Sequence, residues 1–450
     1  MRRMFLPVGH GAFYCERFFP SGTDEPINVV YDCGAIPEWP VEREITSLFD
    51  QGNTIHAVFI SHFHEDHVNG LPALMKRCRV KRIYYPYLDA KAKSLMEIWL
   101  KANGEDKSDA FRFLQNPNGF VNKWSRMKGG TALIAVLPNL GTEESPPSLG
   151  EGLDRRMPSA PIAVTDLLKE GKKKEASLGA LVDWMYLPFN FRQDALIEQL
   201  ETAFEAKGWS LDRLANMPMS PEIREEIRSV YNQVVPDCNL TSMVLFSGID
   251  NSEVCQRGNA WEGGLRSDWK TSAGCLYTGD YKAKGNDRWK ALDEVYSPFK
   301  EYVGCVQIPH HGSESNFNDD FCGNNIILVA SAGLGNRYHL PSQSVVRRCE
   351  KMGCGLQVVS EERRSRVDTL VCAQSMEEEL AVAYFCQGID WARRLVADKK
   401  GLWKRGLSWR DIVKNLPRFY GNFLKVATAL GNYCESVGKA LAKYYGGETR

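Results

Sequence analysis

The chain has 450 residues, 43% of them apolar and 25% charged, with 56 Lys+Arg against 56 Asp+Glu. That length allows one large domain with insertions or two domains, and the composition is that of a globular protein. Zero net charge excludes a uniformly basic polyanion binder, and no run approaches the roughly 18 apolar residues that span a bilayer. The start Met1-Arg2-Arg3 is basic but leads into no sustained apolar stretch, so no signal peptide is expected. The 13 cysteines are scattered without a C-x-x-C pair, which predicts reduced thiols in a cytoplasmic protein and no cysteine-based zinc site. Charge is uneven: residues 391–450 hold 13 Lys+Arg and 4 Asp+Glu, a net of +9 that the rest of the chain balances with −9.

In chain order, residues 4–19 read as a hairpin-like first strand around Gly9-His10-Gly11. A second strand, Ile27–Tyr31, ends at Asp32-Cys33-Gly34. Ile45, Leu48 and Phe49 are spaced for an amphipathic helix over 42–51. The apolar run Ala57-Val58-Phe59-Ile60 predicts a buried strand over 57–61, and Arg82–Tyr85 another. Strand and helix alternate, which argues for a layered α/β domain. Residues 88–238 differ. Helical periodicity covers 90–102, 195–206 and 222–234, and 142–148 reads as a loop. Gly171-Lys172-Lys173-Lys174-Glu175 form a solvated charge run, and 183–189 fit a strand of the main sheets. This region is read as a long, mostly helical insertion. Strand-like runs resume at 241–246, 274–278, 303–308 and 326–330. Pro341 opens a helix to Met352, and 356–359, 369–373 and 381–386 are expected to be closing edge strands. In the tail, Phe419, Phe423, Val426, Leu430, Tyr433, Val437, Leu441 and Tyr444 keep steps of three and four. That is the stripe of a helix packed on the body or on a second subunit, with basic residues that could instead serve a nucleic-acid or anionic surface.

The chemistry lies at strand ends. His62-x-His64-x-Asp66-His67 puts three histidines and a carboxylate in six residues, although the chain has only 8 histidines. Neutral imidazole and ionised carboxylate are the usual ligands of zinc and similar ions. Asp280 also follows a strand, after Thr278-Gly279, and so do His310 and His311, while His339 comes a turn after the next strand. A His cluster, a lone strand-end Asp and a later strand-end His make the pattern of a two-metal hydrolase, in which the lone carboxylate bridges the ions and a hydroxide between them is the nucleophile.

These motifs resemble the metallo-β-lactamase-fold hydrolases: His62-x-His64-x-Asp66-His67 is similar to the family's hallmark, Tyr277-Thr278-Gly279-Asp280 to its bridging-aspartate motif, and Val30-Tyr31-Asp32-Cys33-Gly34 to its early aspartate motif. A narrower likeness, to the C-terminal hydrolase domain of the competence protein ComEC, rests on Val8-Gly9-His10-Gly11, Asn239-x-x-Ser242-x-Val244, Pro309-His310-His311-Gly312-Ser313 and Asn336-Arg337-Tyr338-His339-x-Pro341. It covers about 1–85 and 237–350.

The resemblance implies an αββα sandwich over 1–390, interrupted by the insertion at about 88–238, with a basic helical extension over 391–450. It implies two divalent ions, zinc or manganese: His62 and His64 on the first, Asp66, His67 and His310 on the second, and Asp280 bridging. Many members have another His before the bridging Asp. Here none lies between His67 and His310, and Asn239 or Ser242 occupies that stretch, so the first site is expected to be the weaker. Asp66, His311 and His339 are the candidate catalytic residues. His10, Arg337 and Ser313 are further candidates for phosphate contact or proton transfer, and His56 is structural. The activity implied is a metal-dependent phosphodiesterase or nuclease acting on DNA. The alternatives are a small-molecule hydrolase of the β-lactam or thioester type, and a non-catalytic metal-binding subunit of a multiprotein system, such as a defence system.

Overall fold

The computed structural model describes residues 1–20, 25–127, 130–138, 154–167, 178, 181–191, 194–235, 242–250, 252–262, 265–323 and 325–373. The loop read at 142–148, the charge run at 171–175, Asn239, the strand read at 381–386 and the tail helix over 391–450 lie outside them. Contacts group Met1–Ala373 into one unit.

Two large sheets make up that unit. Across the first, the strands run Leu265–Ser272, Val254–Glu262, Val367–Ala373, Arg2–Phe5, His10–Phe18, Ile27–Ile36, Ala57–Phe59, Arg82–Pro86, Ala132–Val136, Asp154–Met157. Pairing is antiparallel up to Ile27–Ile36 and parallel beyond it. Across the second, the order is Ile162–Ala163, Met185–Phe189, Val244–Gly248, Gly274–Tyr277, Val303–Gln307, Ile327–Ser331, Gly355–Val359. Its last four strands are mutually parallel.

Three apolar clusters separate four layers. One lies between the first sheet and helices that include Trp39–Leu48, Leu71–Arg77 and Ala90–Ala102, one between the sheets, and one between the second sheet and helices Asn286–Tyr296 and Gln343–Lys351. This is the αββα sandwich. It explains why its strands read as continuous apolar runs: each buries both faces. Val58 and Ile83 face the helices while Ala57, Phe59 and Tyr84 face the other sheet. In the second sheet Leu245 faces inward, and Val244 and Phe246 face its helices.

The inter-sheet layer also holds a buried ion pair. Arg3 Nε donates to Glu16 Oε1 at 2.8 Å, and the Glu16 carboxylate also accepts from Tyr186 Oη at 2.8 Å, Ser247 Oγ at 2.7 Å and Tyr277 Oη at 2.9 Å. Glu16 therefore ties its own sheet to three strands of the other.

Three expectations change. Strand Val367–Ala373 is not a closing edge; it is inserted between Val254–Glu262 and Arg2–Phe5. Helix Gln343–Lys351 is capped by Ser342, whose hydroxyl accepts from Val345 N, so Pro341 precedes the helix without opening it. Within 88–238 the helices pack into the first cluster, but strands Ala132–Val136, Asp154–Met157, Ile162–Ala163 and Met185–Phe189 extend both sheets. Among the described residues no helix is long and apolar enough to cross a membrane.

Candidate metal centre

Parallel strands share one edge for their C-terminal ends, and in open α/β sheets that edge carries the site. Segment 60–67 leaves strand Ala57–Phe59, Asp280 follows Gly274–Tyr277, and His310 and His311 follow Val303–Gln307. His10 opens strand His10–Phe18, and Asp32 sits within Ile27–Ile36 at φ 53°.

Close backbone approach brings these segments together. A Cβ on Gly34 would lie 2.5 Å from Asp66 C and 2.6 Å from His67 N, so only glycine lets strand Ile27–Ile36 touch the metal loop. Gly279, at φ +53°, likewise has no room for a side chain: a Cβ would sit 2.6 Å from Ser61 Cβ. Gln307 holds that turn. Its Oε1 accepts from Thr278 N and Gly279 N, each at 2.8 Å, and its Nε2 donates to Gly279 O at 3.2 Å. Ser242 Oγ accepts from Asp280 N at 2.9 Å, so this serine supports the aspartate's backbone.

The ligand-type atoms fall into three groups, each with its atoms within 4.8 Å of one another: His62, His64 and Asp280; His67, Asp280 and His311; and His10, Asp66 and His311. Asp280 belongs to two of them. Its Oδ2 is 3.4 Å from His62 Nε2, and its Oδ1 is 3.5 Å from His67 Nε2. His311 Nε2 lies 3.1 Å from Asp66 Oδ2, and His67 Nε2 lies 3.7 Å from it. His10 Nε2 is 4.0 Å from the same oxygen.

The adjacent histidines therefore part company: His311 joins Asp66 and His67. His310, partly exposed, faces Asp280 instead, with Nε2 3.7 Å from Asp280 Oδ2 and Nδ1 3.2 Å from Asn316 Oδ1. Both residues have left-handed backbone, φ 48° and 55°, a strained state for non-glycine residues that clusters at functional sites.

Second contacts fix the ring tautomers. His67 Nδ1–H donates to Asp32 Oδ2 at 2.8 Å, and Asp32 is itself held by Ser61 N and Ser61 Oγ, each at 2.7 Å. His62 Nδ1 donates to Ser61 Oγ at 2.9 Å, and His311 Nδ1 to Ser331 O at 2.8 Å. Each of these rings thus aims its Nε2 inward, that of His311 at Asp66 Oδ2, the arrangement of metal-binding histidines. The Nε2 atoms of His62, His64 and His67 are buried and make no hydrogen bond. Buried polar atoms left this way call for an explanation, and a divalent cation among nitrogen and carboxylate donors supplies it.

Electrostatics agree. Burial, with the neighbouring His67, keeps His62 below the usual imidazole range, and burial, with His62, pushes His64 down to about 3. Both are neutral at pH 7, as ligands must be. Burial would raise the Asp66 and Asp280 carboxyls. The imidazoles more than offset it, chiefly His67 for Asp66 and His310 for Asp280, and hold both below the carboxylate range. Against burial, Asp66 and Asp280 lift His67 well above its ordinary value, and the hydrogen bond that His311 donates to Asp66 lifts His311. A cation bound there takes the place of those protons, so its uptake releases protons.

Asp32 is the clearest supporting residue. Asp32→Asn is expected to weaken divalent-metal binding by roughly 10–100-fold, read by titration of the metal-free protein; unchanged affinity would show that the Asp32–His67 contact does not tune the ligand.

Of the other sequence candidates, His339 and Arg337 are exposed and His339 belongs to none of the groups, while Ser313 Oγ is paired with Ser315 Oγ at 2.8 Å. His56 Nδ1 accepts from Asn28 N at 3.3 Å, a structural contact. Residues that sequence patterns did not single out are Gln307, which accepts from Thr278 N, Asn316, whose Nδ2 donates to Asp280 O, Trp99, which stacks on His64, and Glu105, which lies near the charges of Glu65 and Asp66; these contacts are distant in sequence and leave no local signal.

Burial, then the charges of Glu65 and Asp66, raise the Glu105 carboxyl to about 7. Its folded value lies above its unfolded one, so its contribution is present at low pH and lost as pH rises towards 7. In metal-free protein the stability gained by Glu105→Gln should therefore be larger at pH 8 than at pH 5, as read by thermal melting; a gain confined to pH 5 would contradict the sign.

A comparison with curated proteins finds no match. The family model described as the metallo-beta-lactamase superfamily matches residues 26–143, the stretch that carries Asp32 and the whole of the His62–His67 loop. With its two sheets between helical layers and its His–Asp cluster at the strand ends, the protein has the metallo-β-lactamase fold, the architecture of a superfamily of metal-dependent hydrolases.

Proposed function

We propose that the protein is a metal-dependent phosphodiesterase whose substrate is nucleic acid, DNA foremost. The observation that carries this reading is that one carboxylate, Asp280, belongs to two ligand groups, His62/His64 and His67/His311. A carboxylate placed between two ligand groups suits a two-metal site, and in-line displacement at phosphorus is a reaction such sites serve. His62, His64 and Asp280 would hold one ion, and Asp66, His67 and His311, with Asp280, would hold the other. Manganese and zinc both suit this nitrogen and oxygen donor set. Such ions supply an activated water and neutralise charge developing on the phosphoryl oxygens. His310, partly exposed beside Asp280, is held through Nδ1 by Asn316 and so presents Nε2 to the Asp280 side of the site, where it would contact an ion or a phosphoryl oxygen. The charge of residues 391–450 suits contact with a polyanion backbone.

The test is a substrate panel with the full chain, stripped and reloaded with Mn²⁺ or Zn²⁺: plasmid, single-stranded DNA, bis-p-nitrophenyl phosphate, a chromogenic lactam and a thioester. Cleavage of DNA and of the phosphodiester, lost with chelator and in the His64→Ala/Asp66→Ala double variant, is the expected result. Turnover of the lactam or the thioester alone contradicts it, and no turnover of any substrate favours a binding subunit.

A further inference from the structure

Four of the five histidines around Asp280 are oriented through Nδ1: His62 by Ser61, His67 by Asp32, His310 by Asn316 and His311 by the Ser331 carbonyl. His64 is different. Its ring meets His62 edge-on at 4.4 Å and stacks on Trp99 at 4.8 Å and 24°, with Nε2 buried and without a hydrogen bond. Trp99 lies on helix Ala90–Ala102, far from the metal loop in sequence.

That helix is firmly held. Leu95, Met96, Ile98 and Leu100 are buried, Asp89 caps its start by accepting from Ala92 N at 2.9 Å, and Tyr231 Oη donates to Leu95 O at 2.6 Å. The next residue of the metal loop is tied to the same region. The Glu65 carboxylate accepts from Ala110 N at 3.0 Å and Asp109 N at 3.4 Å, at the start of helix Asp109–Gln115. Two consecutive residues of the loop, one of them a ligand, therefore rest on segment 90–115.

We infer that this helical segment is a working part of the metal centre and that Trp99 is the positioning residue for His64, its ring doing for His64 what Nδ1 hydrogen bonds do for the other four. The inference rests on the reading that His62, His64 and Asp280 take a divalent cation. That half is a group of three, two of them imidazoles, so its affinity depends on how each ring is aimed. Removing the Trp99 ring should weaken that half by roughly 10–100-fold, the usual cost of losing an outer contact to a ligand, and leave the Asp66/His67/His311 half unchanged.

The experiment counts bound Mn²⁺ or Zn²⁺ per chain by elemental analysis, on full-length protein equilibrated over graded free-metal concentrations. Wild type should fill two sites. Trp99→Ala should shift one of them by the stated factor. Trp99→Phe, which keeps a ring, should stay within a few fold of wild type. Trp99→Leu, which keeps an apolar side chain on the helix without an aromatic ring, should match Trp99→Ala and decides the matter if the alanine variant does not fold. Wild-type binding by Trp99→Leu, or equal weakening of both sites, overturns the inference. Wild-type protein that binds no metal removes the reading beneath it as well, an outcome distinct from two sites that ignore Trp99.

Discussion

Asp280→Ala is expected to abolish metal-dependent hydrolysis, because it removes the one ligand common to both metal groups. Charge stabilisation by metal ions amounts to several kcal/mol, and 1.36 kcal/mol is a factor of ten in rate, so the loss should be roughly a thousandfold or more. Steady-state turnover of bis-p-nitrophenyl phosphate reads it. The same substitution should lower bound metal below two per chain, since His62, His67 and His310 all face this carboxylate. Activity within tenfold of wild type would mean that the two groups work without a bridge.

The second large effect concerns stability. Glu16→Leu leaves the Arg3 guanidinium, 0% exposed, without its counter-charge, and strips the acceptor from Tyr186, Ser247 and Tyr277. Breaking one partner of a buried pair costs about 3–5 kcal/mol, which a urea midpoint measures directly. Arg3 keeps its bonds to Gln256 Oε1 at 2.6 Å and Ala273 O at 2.9 Å, but these are neutral acceptors. Combining Glu16→Leu with Arg3→Met should recover much of the loss, since a buried pair replaced by apolar groups is often near neutral. A single-variant loss within about 1 kcal/mol, the range of exposed pairs, would show that water reaches the inter-sheet layer.

Both residues illustrate what the sequence could and could not announce. Runs such as Ala57-Val58-Phe59 and Val244-Leu245-Phe246 are legible because they bury both faces between layers. The strand ends, and with them the metal loop and Asp280, follow from those runs. Strand Val367–Ala373 reads as an edge because nothing local reveals that hairpin Val254–Ser272 pairs beyond it. That hairpin is itself hard to see, since its strands mix Gln, Arg, Asn, Asp and Lys with apolar residues and keep no clean alternation. Glu16 and Arg3 look like ordinary charged residues of half-buried strands; their pairing across the sheets is purely tertiary.

The same limit governs the site. Spacing places His310 and His311 at one strand end but cannot say which ring turns toward Asp66. That choice is made by two consecutive left-handed residues, with no glycine at either to signal them. The absence of a histidine between His67 and His310 is visible in the sequence, and Ser242, in the stretch where one would fall, holds the Asp280 backbone. Trp99 lies 35 residues beyond its partner His64, within a region whose periodicity announces a helix and nothing about a ring stacked on a ligand.

The most direct test of the central claim is anomalous diffraction at the zinc edge from crystals of the full chain grown with Zn²⁺. The expected result is two peaks flanking the Asp280 carboxylate, one among His62, His64 and Asp280 and one among Asp66, His67, His311 and Asp280. No peak at this cluster, or one on the far side of His310 away from Asp280, would contradict it.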